Sequence, residues 1–435
     1  MKTNVVLIHC HDLGRHTGAY GAGVSTPNLD RVGETGTVFE RAFSVAPLCS
    51  PARSALMTGR YPHSNGINGL THLGWEYNAS ELTLAHRLTD AGYHTTLIGL
   101  QHESADPRRL GYREVVSLGT GDDDPPYCGP VADETIRWLQ RRRAPADPFF
   151  LTVGFYEAHR PYPPDRYPPD DPEHVGVPCY LPDNDWTRDD LAALHGSIRA
   201  ADVAVGRILD CLSDTGRDHD TWVMFTTDHG IAFPGAKSTL YEPGVGVAML
   251  VRPPTSIAGC GRTPRLFSHV DFVPTVLDLL NLNRPDTLHG VSHAAFLLGR
   301  DSAPVRDAVF CEKTYHDVYD PIRAVRTASW SYIRNLEARP VLTLPLDIFT
   351  SPTARGYGSG YLRHRDTEEL YDLRMDPDET TNLAGHPQFE PIRAELNARL
   401  DAWQRDTDDP ARLAPIPPVP MPRLARYGAL PRPAK

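Results

Sequence analysis

NVVLIHCHD, at residues 4–12, combines a buried strand with a polar end. Asn4–His9 is a short apolar run with β-branched side chains, which is typical of a strand buried in a parallel sheet. His11 and Asp12, which follow it, can each bind a proton or a metal ion. In open α/β sheets, ligands bind at the carboxyl ends of the strands. The stretch therefore predicts one strand of an α/β sheet with functional residues at its end.

Strand-like and helix-like patterns alternate along the chain as far as about residue 280. Such alternation predicts an α/β fold in which a mostly parallel sheet is sandwiched by helices. Further strands are predicted at His94–Gly99, Pro148–Tyr156, Thr221–Thr227 and Val247–Val251. Helices are predicted after Thr26, over Pro51–Met57, from Ser80, and over Val131–Gln140, Asp189–Leu212 and Val270–Leu280.

Three more predicted strands end in polar clusters: GLQHE at 99–103, EAHR at 157–160 and TDHG at 227–230. One such cluster would mean little, because most single Asp or His residues are caps or solvated side chains. The carboxyl ends of parallel strands meet at one edge of a sheet, however. Together with His11 and Asp12, the clusters predict a functional site at that edge.

The pattern changes after about residue 320. IRAVRTASWSYIRNL (322–336) and ELYDLRMDP (369–377) predict antiparallel strands, and an amphipathic helix is predicted over Phe389–Arg405. We therefore expect an α/β domain over residues 1–320 and a smaller C-terminal antiparallel α+β subdomain over residues 321–435. The 41 prolines are enriched at 161–184 and in the tail 410–435, which predicts long loops and an extended end.

Composition excludes several classes of protein. No apolar run approaches the roughly 18 residues of a membrane span. The net charge of −11 and the lack of a basic block argue against nucleic-acid binding. Seven scattered cysteines without a CxxC motif, and a beginning without a signal-peptide pattern, lead us to expect a reduced cytoplasmic protein. A homo-oligomer is left open.

The sharpest local motif is CSPAR at residues 49–53, followed by Thr58-Gly59. A lone cysteine at a helix start is usually a buried structural residue. A nucleophile at this place would instead face the positive end of the helix dipole, with Arg53 one turn further on.

The extended pattern C-x-P-[SA]-R-x4-T-G resembles the maturation motif of type I sulfatases, whose cysteine is oxidised to formylglycine. The whole of residues 26–67 is similar to the N-terminal region of that family. FPGAKSTLYEPG (233–244), NLEARPVLTLPLDIFTSPT (335–353) and EELYDLRMDPDETTNLA (368–384) resemble its heparan N-sulfatase (sulfamidase) branch. The resemblance covers nearly all of residues 4–410 and implies an alkaline-phosphatase-like fold.

The resemblance implies a sulfohydrolase that cleaves a sulfate ester or a sulfamate, with an N-sulfoglucosamine-type sugar as the substrate of the branch. It also implies that a formylglycine-generating enzyme converts Cys49. In the family, hydrated formylglycine attacks sulfur, the alcohol or amine leaves, and loss of sulfate regenerates the aldehyde, with a metal as Lewis acid. A small imported sugar agrees with a cytoplasmic location and the negative charge of the chain.

Metal ligands of the family map onto His11-Asp12 and Asp228-His229, together with Cys49. The resemblance implies Ca²⁺, which takes about six to eight oxygen ligands. His11 departs from the family, where aspartate is usual, and two imidazoles with two carboxylates suit Mn²⁺, Fe²⁺ or Zn²⁺ better. We therefore expect Ca²⁺, bound more weakly than in the relatives, with Mn²⁺ or Zn²⁺ as the alternatives that His11 leaves open.

The remaining site residues also follow from the resemblance, position by position. His102 would steer the formylglycine hydroxyl, and His159 would protonate the leaving group. Lys237 would bind the sulfate, and Arg53 belongs to the maturation motif itself. The adjacent Arg160 matches the His-Arg pair of the sulfamidase branch and is a candidate substrate ligand.

Leu100 is a second departure, because the family has a lysine on the sulfate at this place. Loss of such a donor costs a few kcal/mol in the transition state. Gln101, Arg160 or a protonated His11 are candidates to compensate.

Two alternative functions keep the fold. A phosphonate monoester or phosphodiester hydrolase would use the same CxPxR cysteine and an Asp-His metal pair. A catalytically idle sulfatase-like binding protein is favoured only by Leu100 and His11, and the intact CSPAR motif argues against it.

Overall fold

The computed structural model describes residues 3–118, 125–142, 148–300 and 306–420. The end of the proline-rich tail, residues 421–435, lies outside these ranges. Residues 161–184 form a loop segment as predicted, with a short 3₁₀ turn at Pro172–His174.

The larger sheet has eight strands within the described residues: β1 Asn4–Cys10, β2 Thr37–Phe43, β3 His94–Gly99, β4 Glu114–Val116, β5 Phe149–Gly154, β6 Thr221–Thr227, β7 Met249–Arg252 and β8 Gly261–Ser268. Their order is β4-β3-β5-β1-β6-β7-β2-β8. Only β7 runs antiparallel to its neighbours β6 and β2. The prediction of a mostly parallel sheet is confirmed, and β1 lies near its centre.

Helices cover both faces of this sheet: α1 Pro27–Thr35, α2 Cys49–Thr58, α3 Pro62–Asn65, α4 Leu84–Asp90, α5 Cys128–Arg141, α6 Asp185–Asp214, α7 Glu242–Val245, α8 Phe272–Leu279 and α9 Ala294–Leu297. Successive side chains of a strand point to opposite faces. Val6 and Ile8 of β1 therefore join the core beneath α1, α5 and α6, whereas Val5 and Leu7 join the core beneath α2, α4 and α8.

The helix predicted from Ser80 begins later, at Leu84. Thr83 is its N-cap, because the Thr83 hydroxyl accepts a hydrogen bond from the backbone of His86 (3.4 Å) and donates one to the carbonyl of Leu110 (2.6 Å). Leu82 precedes the helix and is 41% exposed. The local capping group outweighs the apolar periodicity that suggested the longer helix.

A smaller antiparallel sheet follows, with β9 Ala308–Tyr315, β10 Tyr319–Thr327, β11 Trp330–Asn335 and β12 Glu368–Asp372. Its helices are α10 Leu346–Phe349, α11 Pro352–Tyr357 and α12 Glu390–Asp406. α12 covers one face of the sheet, and the other face packs on Phe43 and Leu240 of the larger unit. The small sheet begins with β9, before the predicted division at 320/321, and β10 spans that division. The division of the chain into two domains at this place stays a prediction.

The longest helix, α6, carries charged and polar residues along its length, and none of the described helices is long and apolar enough to cross a membrane.

Candidate active and metal site

The ends of β1 and β6 form the floor of the site. The two strands pair in parallel register, with Cys10 opposite Thr227, so the residues that follow them lie side by side. The backbone amide of Asp12 donates to a carboxylate oxygen of Asp228 (2.9 Å). Asp12 adopts a left-handed backbone conformation with φ 48°, which is uncommon outside glycine and is found at functional sites. The register of the sheet thus places the two predicted ligand pairs together.

Five buried side chains offer metal-ligating atoms that all lie within 4.8 Å of one another: His11, Asp12, Cys49, Asp228 and His229. This is the set expected from the sequence. His229 Nε2 lies 3.2 Å from Asp12 Oδ1 and 3.4 Å from Cys49 Sγ. His11 Nδ1 lies 2.8 Å from Asp12 Oδ1 and 3.3 Å from Asp228 Oδ2. The cluster can hold one divalent cation.

The imidazoles of His11 and His229 are each oriented by a hydrogen bond from the ring nitrogen that does not face the donor cluster. His229 Nδ1 donates to the backbone carbonyl of Gly230 (3.0 Å), so that in the neutral ring Nε2 is the acceptor that faces the cluster. His11 Nε2 is hydrogen-bonded to His102 Nδ1 (3.0 Å), while His11 Nδ1 faces the carboxylates. Burial lowers the pKa of His11 well below its ordinary value, which favours the neutral, ligating form.

The two carboxylates of the cluster are held ionised. Burial alone would raise the pKa of Asp12, but Lys237 and neighbouring histidines outweigh it and lower that pKa well below its usual range. The pKa of Asp228 is likewise lowered, because His229, His11 and Arg53 outweigh burial.

Cys49 is the first residue of α2, and its side chain is buried among the donor atoms. Burial raises the pKa of the Cys49 thiol well above its usual range, and the carboxylates of Asp12 and Asp228 add to the rise. An unmodified thiol at this place is therefore a poor nucleophile, since the reactive form of cysteine is the thiolate.

Arg53, one turn further along α2, connects the helix to both strand ends. Its guanidinium donates to Asp228 Oδ2 (3.2 and 3.0 Å), to His9 Nδ1 (2.5 Å) and to the carbonyl of Cys10 (3.2 Å). Arg53 therefore fixes the start of α2, and with it Cys49, against the carboxylate of Asp228. From the sequence, His9 belongs to the polar cluster that ends the first predicted strand, but no role at the site was predicted for it.

Lys237 and His159 lie on the outer side of the cluster. Lys237 is buried, and its Nζ donates to Asp12 Oδ2 (2.8 Å) and Asp347 Oδ2 (2.8 Å). Burial would lower the pKa of Lys237, but these two carboxylates outweigh it and raise that pKa. His159 is partly exposed, with Nδ1 hydrogen-bonded to the carbonyl of Arg160 (2.7 Å) and near the hydroxyl of Tyr156 (2.9 Å), and with Nε2 3.8 Å from Asp12 Oδ2.

Asp347 was missed by the sequence analysis. It belongs to the segment that resembled the sulfamidase branch, yet nothing in its neighbours marks that acid as a site residue. It reaches the site from α10 of the small subdomain and lies 4.0 Å from His159 Nε2. Beside it, a cavity of about 450 Å³ opens to solvent. The lining includes Arg160, Tyr162, Asp190, Asp347 and Ser351.

The structure places three predicted site residues differently from expectation: Gln101, Arg160 and His102. Gln101 uses both ends of its amide in its own loop, accepting from the amides of Glu103 and Ser104 (2.9 Å for Ser104) and donating to the carbonyl of Ser104 (2.6 Å). Because its amide closes this turn, Gln101 is not placed as a sulfate ligand.

Arg160 forms a two-point ion pair with Asp190 (2.7 Å each) and donates to the carbonyl of Ala232 (3.0 Å). It lies at the wall of the cavity rather than among the donors around Cys49, so it does not replace the family lysine. His102 contacts His11 and not the Cys49 side chain, and burial lowers its pKa to about 3. Leu100 is buried, 7% exposed.

Comparisons with known proteins agree with this geometry. Residues 3–282 match the family described as "Sulfatase", and residues 232–346 match "N-sulphoglucosamine sulphohydrolase, C-terminal". Human N-sulphoglucosamine sulphohydrolase is 30% identical over 95% of this chain and 92% of its own length.

Two solved structures share the fold. One protein, in complex with its substrate D-glucosamine-2-N,6-O-disulfate, has a TM-score of 0.75 at 19% identity, and the match covers 94% of this chain and 99% of that chain. The phosphonate monoester hydrolase of Agrobacterium radiobacter has a TM-score of 0.74 at 22% identity and covers 93% and 96%.

Proposed function

The chain belongs to the sulfatase family, and we propose that within this family it hydrolyses the N–S bond of an N-sulfoglucosamine-type sugar. That it is an enzyme that hydrolyses sulfate esters or sulfamates follows from its relatives and the match of residues 232–346. Phosphonate or phosphodiester hydrolysis and an idle binding protein are not favoured. The observation that carries the proposal is the position of Cys49, with Sγ 3.4 Å from His229 Nε2 inside the donor cluster.

We propose that Cys49 acts as formylglycine, after conversion by a formylglycine-generating enzyme. The raised pKa of the thiol supports this, because a buried thiol is largely protonated at neutral pH. The hydrate of the aldehyde would present an oxygen nucleophile at the start of α2. The N-terminal end of the helix dipole favours negative charge at that oxygen.

The metal is proposed to be a divalent ion of the Mn²⁺, Fe²⁺ or Zn²⁺ class. Two imidazole nitrogens and two carboxylates are a softer and less anionic donor set than the oxygen ligands that Ca²⁺ prefers. His11, Asp12, Asp228 and His229 would hold the ion, which when bound would polarise a sulfate oxygen. Calcium, the ion implied by the family, fits these donors less well.

Lys237 and His159 supply the remaining chemistry. The ammonium of Lys237 lies beside Asp12, where it would compensate the charge of a bound sulfate. His159 would donate a proton from Nε2 to the leaving nitrogen, because an amine leaves poorly unless it is protonated. Burial lowers the pKa of His159, and an arriving sulfate anion would raise it again.

The substrate is proposed to be a small sugar. The cavity of about 450 Å³ that Arg160 and Asp347 line matches the lower range of small-molecule sites. Glycosaminoglycan breakdown releases sugars of this class. The cytoplasmic location also stays a proposal, supported by seven cysteines that are all free in the structure.

The test compares three substrates on one preparation, co-expressed with a formylglycine-generating enzyme: N-sulfoglucosamine, 4-nitrophenyl sulfate and a phenylphosphonate monoester. We expect sulfate release from N-sulfoglucosamine and conversion of Cys49 in the mass of the tryptic peptide Ala42–Arg53. A preparation with converted Cys49 that hydrolyses only the phosphonate would contradict the proposal. Cys49→Ala is the control, and it should release no sulfate.

A further inference from the structure

Asp347 has no role in the sulfate and metal chemistry proposed above, although its carboxylate lies near Asp12 and His159. Asp347 lies on α10 of the small subdomain, whereas Lys237 and His159, which lie close to its carboxylate, belong to the larger one. Its Oδ2 accepts from Lys237 Nζ (2.8 Å), and its Oδ1 accepts from the backbone amide of Ile348 (3.0 Å). The side chain is 22% exposed and forms part of the cavity wall. The carboxylate is thus fixed at the mouth of the site.

The carboxylate also lies next to the position of the leaving atom. Its Oδ2 is 4.0 Å from His159 Nε2, the atom proposed to donate the proton. A leaving atom within hydrogen-bond reach of His159 Nε2 therefore comes within a few ångströms of Asp347. A carboxylate can accept about four hydrogen bonds, and the contacts with Lys237 and Ile348 account for two. Asp347 can accept another hydrogen bond from the substrate.

Sulfamates and sulfate esters differ at this atom. The nitrogen of a sulfamate carries a hydrogen, and it becomes more positive when His159 transfers its proton. The S–N electron pair then stays on nitrogen, a neutral amine leaves, and sulfur is bonded to the nucleophile oxygen. The bridging oxygen of an ester has no hydrogen and becomes more negative as the bond breaks. A nearby carboxylate stabilises the first change and opposes the second.

We propose that Asp347 is the residue that sets the preference for N-sulfate over O-sulfate, by accepting a hydrogen bond from the leaving nitrogen. This inference rests on the proposed sulfamate hydrolysis. It differs from a positioning role, in which Asp347 would only hold Lys237 in place. Lys237 acts on the sulfate group that both substrate classes share, so a positioning role affects both classes equally.

The test uses Asp347→Asn, which removes the charge but keeps an oxygen that can accept from Lys237. We expect kcat/KM for N-sulfoglucosamine to fall about 100-fold, as for loss of one preorganised electrostatic contact. We expect kcat/KM for 4-nitrophenyl sulfate to be retained or to rise by up to about 3-fold, because the opposing charge is removed. Retained ester hydrolysis also shows that the variant is folded. The matched control is Glu337→Gln, an exposed acid on the same segment, which should leave both values unchanged.

Equal losses on both substrates in Asp347→Asn would assign it a positioning role and overturn the inference. Unchanged sulfamate hydrolysis would overturn it as well. Failure of the proposed function has a different signature, since the wild-type protein would then hydrolyse 4-nitrophenyl sulfate and leave N-sulfoglucosamine intact.

Discussion

Replacing His11 by aspartate should turn the metal site into one that prefers calcium. His11 Nδ1 lies 2.8 Å from the carboxylate of Asp12 and 3.3 Å from that of Asp228. A carboxylate at position 11 would therefore face the metal ion that these residues are proposed to hold. The substitution removes one nitrogen ligand and adds an oxygen ligand with a negative charge. Calcium affinity is tuned by the number of charged oxygen ligands.

The size of the effect follows from the charges of the cluster. Asp12 and Asp228 are balanced by Lys237 and Arg53, which contact them directly. One more negative charge about 4 Å from a cation is worth about 4 kcal/mol for each of the two charges of Ca²⁺ at an effective dielectric constant near 20. Burial of the extra carboxylate cancels much of this. We expect a net gain of about 1.5 to 3 kcal/mol, which is about 10- to 100-fold tighter Ca²⁺ binding.

The assay is isothermal titration of chelator-treated protein with Ca²⁺, Mn²⁺ and Zn²⁺, together with the absorption spectrum of the Co²⁺ form. Wild-type protein should bind Mn²⁺ or Zn²⁺ more tightly than Ca²⁺, and His11→Asp should shift the order toward Ca²⁺. His219→Asp, at an exposed histidine, is the control for added charge. The reasoning is refuted if wild-type protein binds Ca²⁺ most tightly, or if His11→Asp leaves the ratio of affinities unchanged.

Three further predictions concern single residues. Burial raises the pKa of Glu103 to about 8 from 4.5, so the wild-type protein should lose stability as the pH rises from about 4.5 to 8. Glu103→Gln should make the free energy of unfolding less dependent on pH in urea titrations at several pH values. An unchanged pH dependence in the variant would contradict this prediction. His159→Asn should lower kcat/KM for N-sulfoglucosamine by about 10² to 10⁴-fold but affect 4-nitrophenyl sulfate less, because nitrophenolate leaves without protonation; equal losses would exclude the role as proton donor. Arg53→Met should lower the free energy of unfolding by about 3 to 5 kcal/mol, because it leaves Asp228 buried without its guanidinium partner. The exposed Arg108→Met should cost less than about 1 kcal/mol in the same denaturant titration.

The α/β fold and most of the site could be predicted from local patterns. The predicted strands match β1, β3 and β6 closely, because β-branched and apolar residues predominate in strands that are buried on both faces. Polar residues that directly follow such parallel strands therefore lie at the carboxyl edge of the sheet. This geometry brings His11, Asp12, Asp228 and His229 together without knowledge of the rest of the chain.

Helix starts were harder to predict, as the later start of α4 at Leu84 shows. Its N-cap Thr83 donates to the carbonyl of Leu110, which belongs to a different part of the chain. The capping group is local in sequence, but the partner that holds it is not, so apolar spacing alone extended the helix too far.

Residue types and spacing were enough to identify the family and to predict the nucleophile position and the metal-binding pairs, because these depend on short segments that carry their own geometry. The partners of the outer residues depended on the packing of the two subdomains. Asp347 lies 110 residues after Lys237 and meets it only because α10 of the small subdomain reaches the sheet edge. Arg160 forms its ion pair with Asp190 on α6, and the side-chain amide of Gln101 is hydrogen-bonded within its own loop. A side chain's partner is set by whichever groups the fold brings within about 3 Å, and for these residues the fold brings distant or competing groups that no local pattern records.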